Sequence, residues 1–241
     1  MTVGLIGFGR LGRLLTRYFA RDFRVHVHDL VPRPAAVRAL GAFPASLAEA
    51  CRQDVVVLCV PIAAFERLVR RIRGLVRPGA LVIDTCSVKE HPVRVMKRHL
   101  PKTVSILATH PNFGPDSAAE SLEGRTLVVC RVRVEDACWR RLRRALGKKG
   151  LDIVPLSPRE HDRRMASSLV LTHFIGRGLI GYGARTTGVD TEGYKRLLRI
   201  LETVQNDTEQ LFLDMNRYNA YAGPMRRRFL RALKTVDARL R

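Results

Sequence analysis

A glycine-rich turn near the N-terminus constrains the fold more than any other feature of this sequence. The turn is Gly7-Phe8-Gly9-Arg10-Leu11-Gly12; it directly follows the apolar run Val3–Ile6 and opens the helical pattern Leu11–Ala20. The G-x-G-x-x-G spacing between a strand and a helix suits a tight turn, close approach of the backbone to a pyrophosphate, and close packing of helix on strand. The amide groups and dipole of the helix N-terminus favour an anion. We therefore predict that Gly7, Gly9, Arg10, Leu11 and Gly12 contact a dinucleotide.

Strand-length apolar runs alternate with helical segments through the first two thirds of the chain. The predicted strands are Val3–Ile6, Val25–His28, Val55–Val60, Leu81–Asp84, Ser105–Ala108, Leu127–Cys130 and Ile153–Val154. The predicted helices between them are Leu11–Ala20, Ala63–Ile72, Val93–His99 and Glu135–Lys148. This alternation is typical of a mostly parallel, doubly wound sheet, and continuously apolar strands indicate burial on both faces. Together with the glycine turn, the pattern predicts a Rossmann domain.

From Pro158 onward the pattern is helical throughout. Three long helices are predicted, at Glu160–Ala184, Thr191–Tyr218 and Met225–Leu240. Because proline is tolerated in the first turn of a helix, Ser157-Pro158 is a natural domain boundary. We predict the α/β fold class, with a Rossmann dinucleotide-binding domain at 1–157 and a smaller all-helical domain at 158–241.

Asp29 closes the second predicted strand, where a carboxylate can accept hydrogen bonds from the adenosine ribose hydroxyls and repel a 2′-phosphate. This position favours NAD over NADP. Arg33 leaves the opposite choice open, since it could pair with a phosphate if Asp29 turns away. Val60 and Pro61 close the strand that begins at Val55, and they are predicted to contact the cofactor. The alternative, in which Val60 and Pro61 only terminate that strand, explains them equally well.

The chain is strongly basic, with 43 Lys and Arg against 22 Asp and Glu and a formal net charge of +21. Such a charge raises the question of nucleic acid binding. The arginines recur at amphipathic-helix spacing, without interleaved aromatic residues and without a helix-turn-helix or RNP-like signature. We interpret them as solvated helix faces that attract anions in general. No specific nucleic acid partner is predicted.

The sequence also bears on location. A membrane span needs about 20 apolar residues, whereas the longest apolar stretch, beginning at Val55, is interrupted by Pro61. No secretory signal is visible at the N-terminus. The five cysteines form neither a C-x-x-C pair nor a metal-type spacing, and most lie in apolar runs. Buried thiols that serve as small apolar side chains indicate a protein from a reducing compartment. These features predict a cytoplasmic protein with no membrane contact and no metal site.

Three polar clusters, taken together with the glycine turn, resemble the prephenate and arogenate dehydrogenases of tyrosine biosynthesis. Those enzymes combine an SVK segment, an HPMFGP segment and an EHD…M…HF helix, to which Ser87–Lys89, His110–Pro115 and Glu160–Phe174 are similar in order and spacing. The similarity covers essentially the whole chain. Thr191–Tyr194 (TEGY) looks like the TKGY or TKGF stretch of the arogenate-using branch. The departures are Asn112 where Met is usual, Asp116 where Glu is common, and Glu192 where Lys is common.

The resemblance implies oxidative decarboxylation of arogenate or prephenate with NAD. Hydride leaves the ring carbinol carbon for the nicotinamide, a base takes the hydroxyl proton, and the ring carboxylate leaves as carbon dioxide while the ring becomes aromatic. The chemistry needs one general base and no metal. By this resemblance His110 occupies the family's catalytic histidine position, and imidazole titrates near neutral pH; in isolation, a His-Pro after a strand is more often a turn than a base. Ser87 is predicted to hydrogen-bond the same hydroxyl or His110, with an N-cap role as the alternative.

The implied substrate carries two carboxylates, so cationic groups are expected to bind it, preferably arginine in bidentate geometry. Arg177 is the first candidate, and the resemblance places a residue that binds the side-chain carboxylate near Lys195 and Arg196. Lys89 is predicted to support the junction of cofactor and substrate. His161 and His173 lie roughly 120° apart around one helix, so they cannot contact one ligand from the same face of that helix. Both remain predicted substrate contacts, His161 ahead of His173, with structural roles as the alternative.

Two other functions fit the same domain plan. A β-hydroxyacid dehydrogenase or imine reductase shares it but usually relies on a catalytic lysine in the helical domain, where this chain offers histidines and Lys195. A non-catalytic dinucleotide sensor would bind the cofactor without turnover and would be insensitive to loss of His110. The long C-terminal helices, together with the family resemblance, predict a homodimer formed through those helices.

Overall fold

One β-sheet organises the N-terminal part of the chain. In the computed structural model, which describes residues 1–240, eight strands form it: β1 (Thr2–Ile6), β2 (Arg24–His28), β3 (Phe43–Pro44), β4 (Val55–Leu58), β5 (Leu81–Asp84), β6 (Ser105–Pro111), β7 (Thr126–Arg133) and β8 (Asp152–Pro155). Their order is β3-β2-β1-β4-β5-β6-β7-β8. Neighbours are parallel except β6 and β7, which run antiparallel. The predicted α/β class with a mostly parallel Rossmann sheet is therefore confirmed.

The order of the strands reverses at β1, which has β2 on one side and β4 on the other. In open α/β sheets, ligands bind outside the carboxyl ends of the strands at such a reversal. The glycine turn begins at Gly7, directly after β1, and therefore lies at this position. Strand β4 ends at Leu58, two residues earlier than predicted, and Pro61 is the N-cap of the next helix.

The central strands are buried on both faces, as their apolar sequences predicted. All four residues of β4 are buried, and Leu5 of β1 is 0% exposed. Burial of one such side chain contributes about 1.5–3 kcal/mol relative to its exposure. The sheet core thus holds the carboxyl ends of β1, β4, β5 and β6 in fixed register, and those ends carry the residues of the candidate site.

Helices α1 to α6 connect the strands of the sheet: α1 (Arg10–Phe19), α2 (Pro34–Ala39), α3 (Leu47–Cys51), α4 (Ile62–Ile72), α5 (Glu90–His99) and α6 (Asp136–Gly147). The sequence pattern missed β3, α2 and α3, because elements of two to six residues are too short to show a period. One signal was available for α3. Ser46 and Glu49 form a capping box, in which the Ser46 hydroxyl accepts from the Glu49 N–H (3.2 Å) and the Glu49 carboxylate accepts from the Ser46 N–H (2.7 Å).

The described residues divide into two compact units, Met1–Pro158 and a second that begins at Arg159. The second unit is helical, and its elements are α7 (Pro158–Met165), a π-helical stretch (Ala166–Val170), α8 (Leu171–Tyr182), α9 (Glu192–Gln205), α10 (Glu209–Tyr218) and α11 (Ala222–Ala238). Within residues 1–240, no helix is both long enough and apolar enough to span a membrane.

The predicted helix Thr191–Tyr218 was wrong, because two helices occupy this range. The break follows Gln205, where α9 ends, and Thr208 starts α10 by accepting the Leu211 N–H with its hydroxyl (3.2 Å). An N-cap threonine satisfies an N–H group that has no partner within the helix. The hydrophobic period continues on both sides of the break, so periodicity alone did not reveal it.

Candidate active site

The glycine turn links β1 to α1 at the carboxyl edge of the sheet. Gly7 adopts φ +104°, a conformation that favours glycine. A Cβ on Gly12 would clash with the Gly7 carbonyl oxygen, so α1 can pack this closely only with glycine at position 12. Gly9 is the N-cap of α1, and a Cβ there would meet nothing within 4 Å among the described residues. An anion can therefore approach the N-terminus of α1 at Gly9.

Two other residues predicted to contact the cofactor lie beside or within this turn. A Cβ on Gly7 would lie 3.2 Å from Val60 Cγ1, so the Val60 side chain borders the turn. The Leu11 side chain packs against the sheet core, which leaves its backbone as the part that can face a ligand. Pro61 is exposed and begins α4, in agreement with its interpretation as a strand terminator.

Asp29 directly follows β2 and is held against the glycine turn. Its carboxylate accepts hydrogen bonds from the Phe8 N–H (2.5 Å) and from the Val31 N–H (2.8 Å). Each carboxylate oxygen has a second lone pair. A ribose hydroxyl can use these lone pairs without displacing the backbone donors.

A cavity of about 270 Å³ adjoins Asp29, and we call it the β2 cavity. Its lining residues are Phe8, Val27, His28, Asp29, Pro32, Arg33, Pro34, Val37, Pro44, Ala45 and Ser46. The walls are mainly apolar, and the polar residues of the lining are His28, Asp29, Arg33 and Ser46, which suits a flat heteroaromatic ring attached to a sugar. The sequence identified Asp29 and Arg33, whereas the prolines were missed; Pro32 and Pro34 flank Arg33, and Pro44 comes from β3.

Arg10, predicted to contact the cofactor, forms an ion pair with Asp116 in the segment that follows β6. Arg10 Nη2 lies 2.7 Å from Asp116 Oδ1 and 2.9 Å from Oδ2, with both side chains about half exposed. The Tyr18 hydroxyl donates to the Ala118 carbonyl (2.9 Å), so the same segment packs along α1. A phosphate at the turn would compete with Asp116 for the Arg10 guanidinium.

Ser87 and His110 lie at the same edge of the sheet. Strands β5 and β6 are parallel with Asp84 opposite Ala108, so both chains continue beyond this pair in the same direction. His110 is 6% exposed and belongs to β6, opposite Val128 of β7, which rules out the alternative of a His-Pro turn. Ser87 Oγ is buried and has no hydrogen-bond partner among the described residues. A buried hydroxyl without a partner costs free energy, and a ligand hydroxyl at this edge could satisfy it.

The N-cap alternative for Ser87 is wrong, because Lys89 is the N-cap of α5. The predicted substrate contact of Lys89 is also not supported. Its side chain is 0% exposed, and its ammonium donates to the Asp84 carboxylate and to the Thr109 carbonyl. Lys89 therefore joins β5 to β6 beneath the candidate site.

The nearby thiols do not offer a nucleophile. Burial raises the pKa of Cys59 to about 12, and burial followed by the Asp84 charge raises the pKa of Cys86 as well. Both thiols stay protonated near neutral pH, whereas thiol chemistry needs the thiolate. The described residues also hold no cluster of three or more His, Cys, Asp or Glu side chains suited to a metal ion.

Within the second unit, Arg177 and His173 bind the start of α10. Arg177 donates to the Asp207 carbonyl (2.8 Å), pairs with Glu209 (3.0 Å) and lies over the Phe212 ring. His173 is 1% exposed, with Nε2 3.4 Å from an Asp207 carboxylate oxygen. These contacts give both residues structural roles, which was the alternative for His173, whereas Arg177 was predicted only as a substrate contact.

The unfolding free energy is expected to fall as the pH is lowered through about 6.5, and His173 contributes to this. Desolvation lowers the pKa of His173 below its usual 6.5, with Asp207 acting in the opposite direction. The unfolded chain therefore binds the proton more readily than the folded one, and acid favours unfolding. Denaturant titrations at about pH 7.5 and about pH 5.5 should show a smaller difference for His173→Gln than for the parent. If the unfolding free energy changes equally with pH in His173→Gln and in the parent, His173 is not the source of the pH dependence.

His161 and Lys195 also have partners within the second unit. His161 is 0% exposed, and its Nδ1 lies 2.8 Å from Asp162 Oδ1. The Asn219 amide donates to the Asp162 carbonyl (2.8 Å), which ties α7 to the residue after α10. Lys195 is half exposed and pairs with Glu192 (2.7 Å) within α9. Of the four predicted substrate contacts in this unit, Lys195 has the most accessible cationic group.

Comparison with known proteins agrees with these features. A family model described as "Prephenate dehydrogenase, nucleotide-binding domain" matches residues 35–148, and a model for the "TYRAAT1-like, C-terminal domain" matches residues 179–241. Arogenate dehydrogenase 2, chloroplastic, of Arabidopsis thaliana is 33% identical over 254 residues, covering 100% of this chain and 70% of that protein. Arogenate dehydrogenase 1, chloroplastic, of the same plant is 28% identical, covering 100% of this chain and 39% of that protein.

A crystal structure of prephenate dehydrogenase from Aquifex aeolicus, in complex with hydroxyphenyl propionate and NAD+, superposes with a TM-score of 0.75. Identity is 20%, and the match covers 99% of this chain and 91% of that one. The fold and the glycine turn thus define a Rossmann-type dinucleotide-binding protein. The chain belongs to the prephenate and arogenate dehydrogenase family, as its motifs predicted.

Proposed function

We propose that this chain is an NAD-dependent dehydrogenase that oxidatively decarboxylates arogenate or prephenate. The observation that carries the proposal is the placement of His110 and Ser87 at the sheet edge that also bears the glycine turn. An imidazole and an unpartnered hydroxyl at the carboxyl ends of adjacent strands suit removal of a proton from a substrate alcohol. Family membership supports the same reaction.

The cofactor is assigned to the first unit. Its pyrophosphate would lie at Gly9 and the N-terminus of α1, and its adenosine would occupy the β2 cavity with the ribose hydroxyls on Asp29. The NAD+ complex of the Aquifex relative supports this choice of dinucleotide. When bound, NAD accepts the hydride from the substrate carbinol carbon. The chain's own residues bind and orient both molecules and manage the proton.

His110 takes the proton of the substrate hydroxyl as the carbinol becomes a ketone. The Ser87 hydroxyl hydrogen-bonds the same oxygen or the imidazole, and so orients the transfer. As the ketone forms, the bond to the ring carboxylate breaks and carbon dioxide leaves. The electrons of that bond shift through the ring toward the ketone oxygen, which takes up a proton, so that the product ring is an aromatic phenol. Binding of the substrate carboxylates by Arg177 or Lys195 stays a prediction. In each case the cation would first have to leave its present acidic partner.

Replacement of Asp29 by alanine is expected to reduce the preference for NAD over NADP. The change removes both the acceptor for the ribose hydroxyls and the charge that repels a 2′-phosphate, while Arg33 remains at the cavity. The ratio of kcat/KM for the two cofactors should shift toward NADP. Asp22→Ala, which removes an exposed carboxylate paired with Lys149, is the matched control. An unchanged ratio in Asp29→Ala would mean that selectivity resides elsewhere.

The proposed reaction is tested by NADH formation, followed by absorbance, with arogenate and prephenate supplied separately. Turnover of either supports the proposal, and the ratio of the two specificity constants identifies the substrate. Turnover of neither, with intact NAD binding, would favour a β-hydroxyacid or imine substrate. A non-catalytic sensor predicts no turnover with any of these substrates.

We also propose a homodimer formed through the helices of domain 158–241. Large apolar side chains are exposed on α10 and α11, among them Leu213 (51%), Leu230 (45%) and Leu233 (50%). Exposed large apolar side chains on long helices support a subunit contact. A monomer in sedimentation at micromolar concentration would contradict it.

The five cysteines, all within the described part of the chain, carry free thiols, which supports the cytoplasmic location that the sequence predicted.

A further inference from the structure

A buried ion pair lies directly beneath the proposed catalytic residues. The side chains of Asp84 and Lys89 are both 0% exposed, and they are in contact with each other. A buried ion pair is a poor source of stability, since the desolvation cost offsets the attraction, and well-packed apolar residues often replace such pairs without loss. The location of this pair indicates a different use.

The pair connects the two segments that carry Ser87 and His110. On the β5 side, Asp84 Oδ1 accepts from the Cys86 N–H (3.0 Å), at the start of the turn that leads to Ser87. On the β6 side, the Lys89 ammonium donates to the carbonyl of Thr109, the residue before His110.

Another side-chain hydrogen bond runs from β6 back to β5. The Thr109 hydroxyl donates to the Asp84 carbonyl (2.6 Å). The network thus joins both strands through side chains as well as through the sheet ladder. It leaves little freedom for Ser87 and His110 to move relative to each other.

We propose that Asp84 and Lys89 are positioning residues that set the placement of His110 relative to Ser87 for proton transfer. The inference rests on the proposed role of His110 as the base. It explains why this position in the core holds charges in place of apolar side chains. Misplacement of a reacting group by about 1 Å can cost on the order of 10²-fold in rate, whereas the fold tolerates such a shift.

The test is the double variant Asp84→Leu/Lys89→Met, which fills the same space but cannot bridge the strands. Its unfolding free energy should stay close to that of the parent, because removal of the desolvation cost of two charges offsets the lost partners of the Cys86 N–H and the Thr109 carbonyl. Its kcat should fall by about 10²-fold with the KM for NAD unchanged. Lys149→Met, which breaks the exposed pair with Asp22, is the matched control and should leave kcat unaltered.

A second readout needs no substrate. In protein labelled with ¹⁵N-histidine, the signal lost in His110→Asn identifies His110. In the double variant this signal should move or split, while those of the other histidines stay in place. An unchanged His110 signal together with a kcat within twofold of the parent would overturn the proposal. If the parent turns over neither arogenate nor prephenate, the proposed function fails and the histidine signal alone decides the positioning role.

Thr109→Val covers the case in which the double variant does not fold. It keeps the shape of the side chain and removes only the hydrogen bond to the Asp84 carbonyl. We expect a smaller fall in kcat, about fivefold, as one hydrogen bond contributes about 1 kcal/mol. The His110 signal should move away from its position in the parent. A folded Thr109→Val protein with parental kcat and a parental His110 signal would likewise overturn the proposal.

Discussion

Replacement of His110 by asparagine is expected to lower kcat by about 10²–10⁴-fold, the usual contribution of a general base, while the affinity for NAD stays unchanged. Asparagine keeps a polar group of similar size in β6 but cannot take a proton. His110 is not among the residues that line the β2 cavity, and it is not part of the glycine turn. Binding of the dinucleotide should therefore be insensitive to the change.

Two measurements check this prediction. Initial rates give kcat, and calorimetric titration with NAD gives Kd. His99→Asn is the matched control, because His99 ends α5 and pairs with Glu66, away from the glycine turn. Near-parental turnover in His110→Asn would remove His110 as the base. Loss of NAD binding in that variant would instead assign His110 to the integrity of the cofactor site.

Alanine at Gly9 and alanine at Gly12 should have different effects on stability. A Cβ at Gly9 points into open space, so Gly9→Ala should fold as stably as the parent. The same Cβ would occupy the place where the pyrophosphate approaches α1. A forced contact of this kind costs about 1–3 kcal/mol, on the order of tenfold to hundredfold in the Kd for NAD.

Gly12→Ala should lose both stability and binding, because its Cβ would clash with the Gly7 carbonyl oxygen and displace α1. Thermal unfolding and NAD titration of the two variants separate the effects. Gly79→Ala would mislead as a control, since Gly79 has φ +78°; Gly74→Ala, with open space around its Cβ, is suitable. Parental NAD affinity in Gly9→Ala would mean that the pyrophosphate does not lie against this turn.

The site was predictable from the sequence where its chemistry is local. The six residues Gly7–Gly12 contain the spacing that a strand–turn–helix unit needs, and the three family motifs are each short and contiguous. Asp29 was predictable because its distance from the glycine turn follows from one strand and one helix. In contrast, Thr109, which accepts from Lys89, and Asp207, which contacts Arg177 and His173, come from elsewhere in the chain, and no local pattern specifies them.

The sequence by itself determined the alternation of buried strands and helices, the dinucleotide turn and the family. These depend on hydrophobic period and glycine spacing, which act over about a dozen residues. Only the tertiary structure decided that Lys89 is buried against Asp84, that Arg10 pairs with Asp116, and that Arg177 binds the start of α10. A charged side chain takes whichever opposite charge or carbonyl the fold brings within reach, and burial decides how strongly it must do so. The proximity of residues such as Arg10 and Asp116, 106 positions apart, exists only once the sheet has formed.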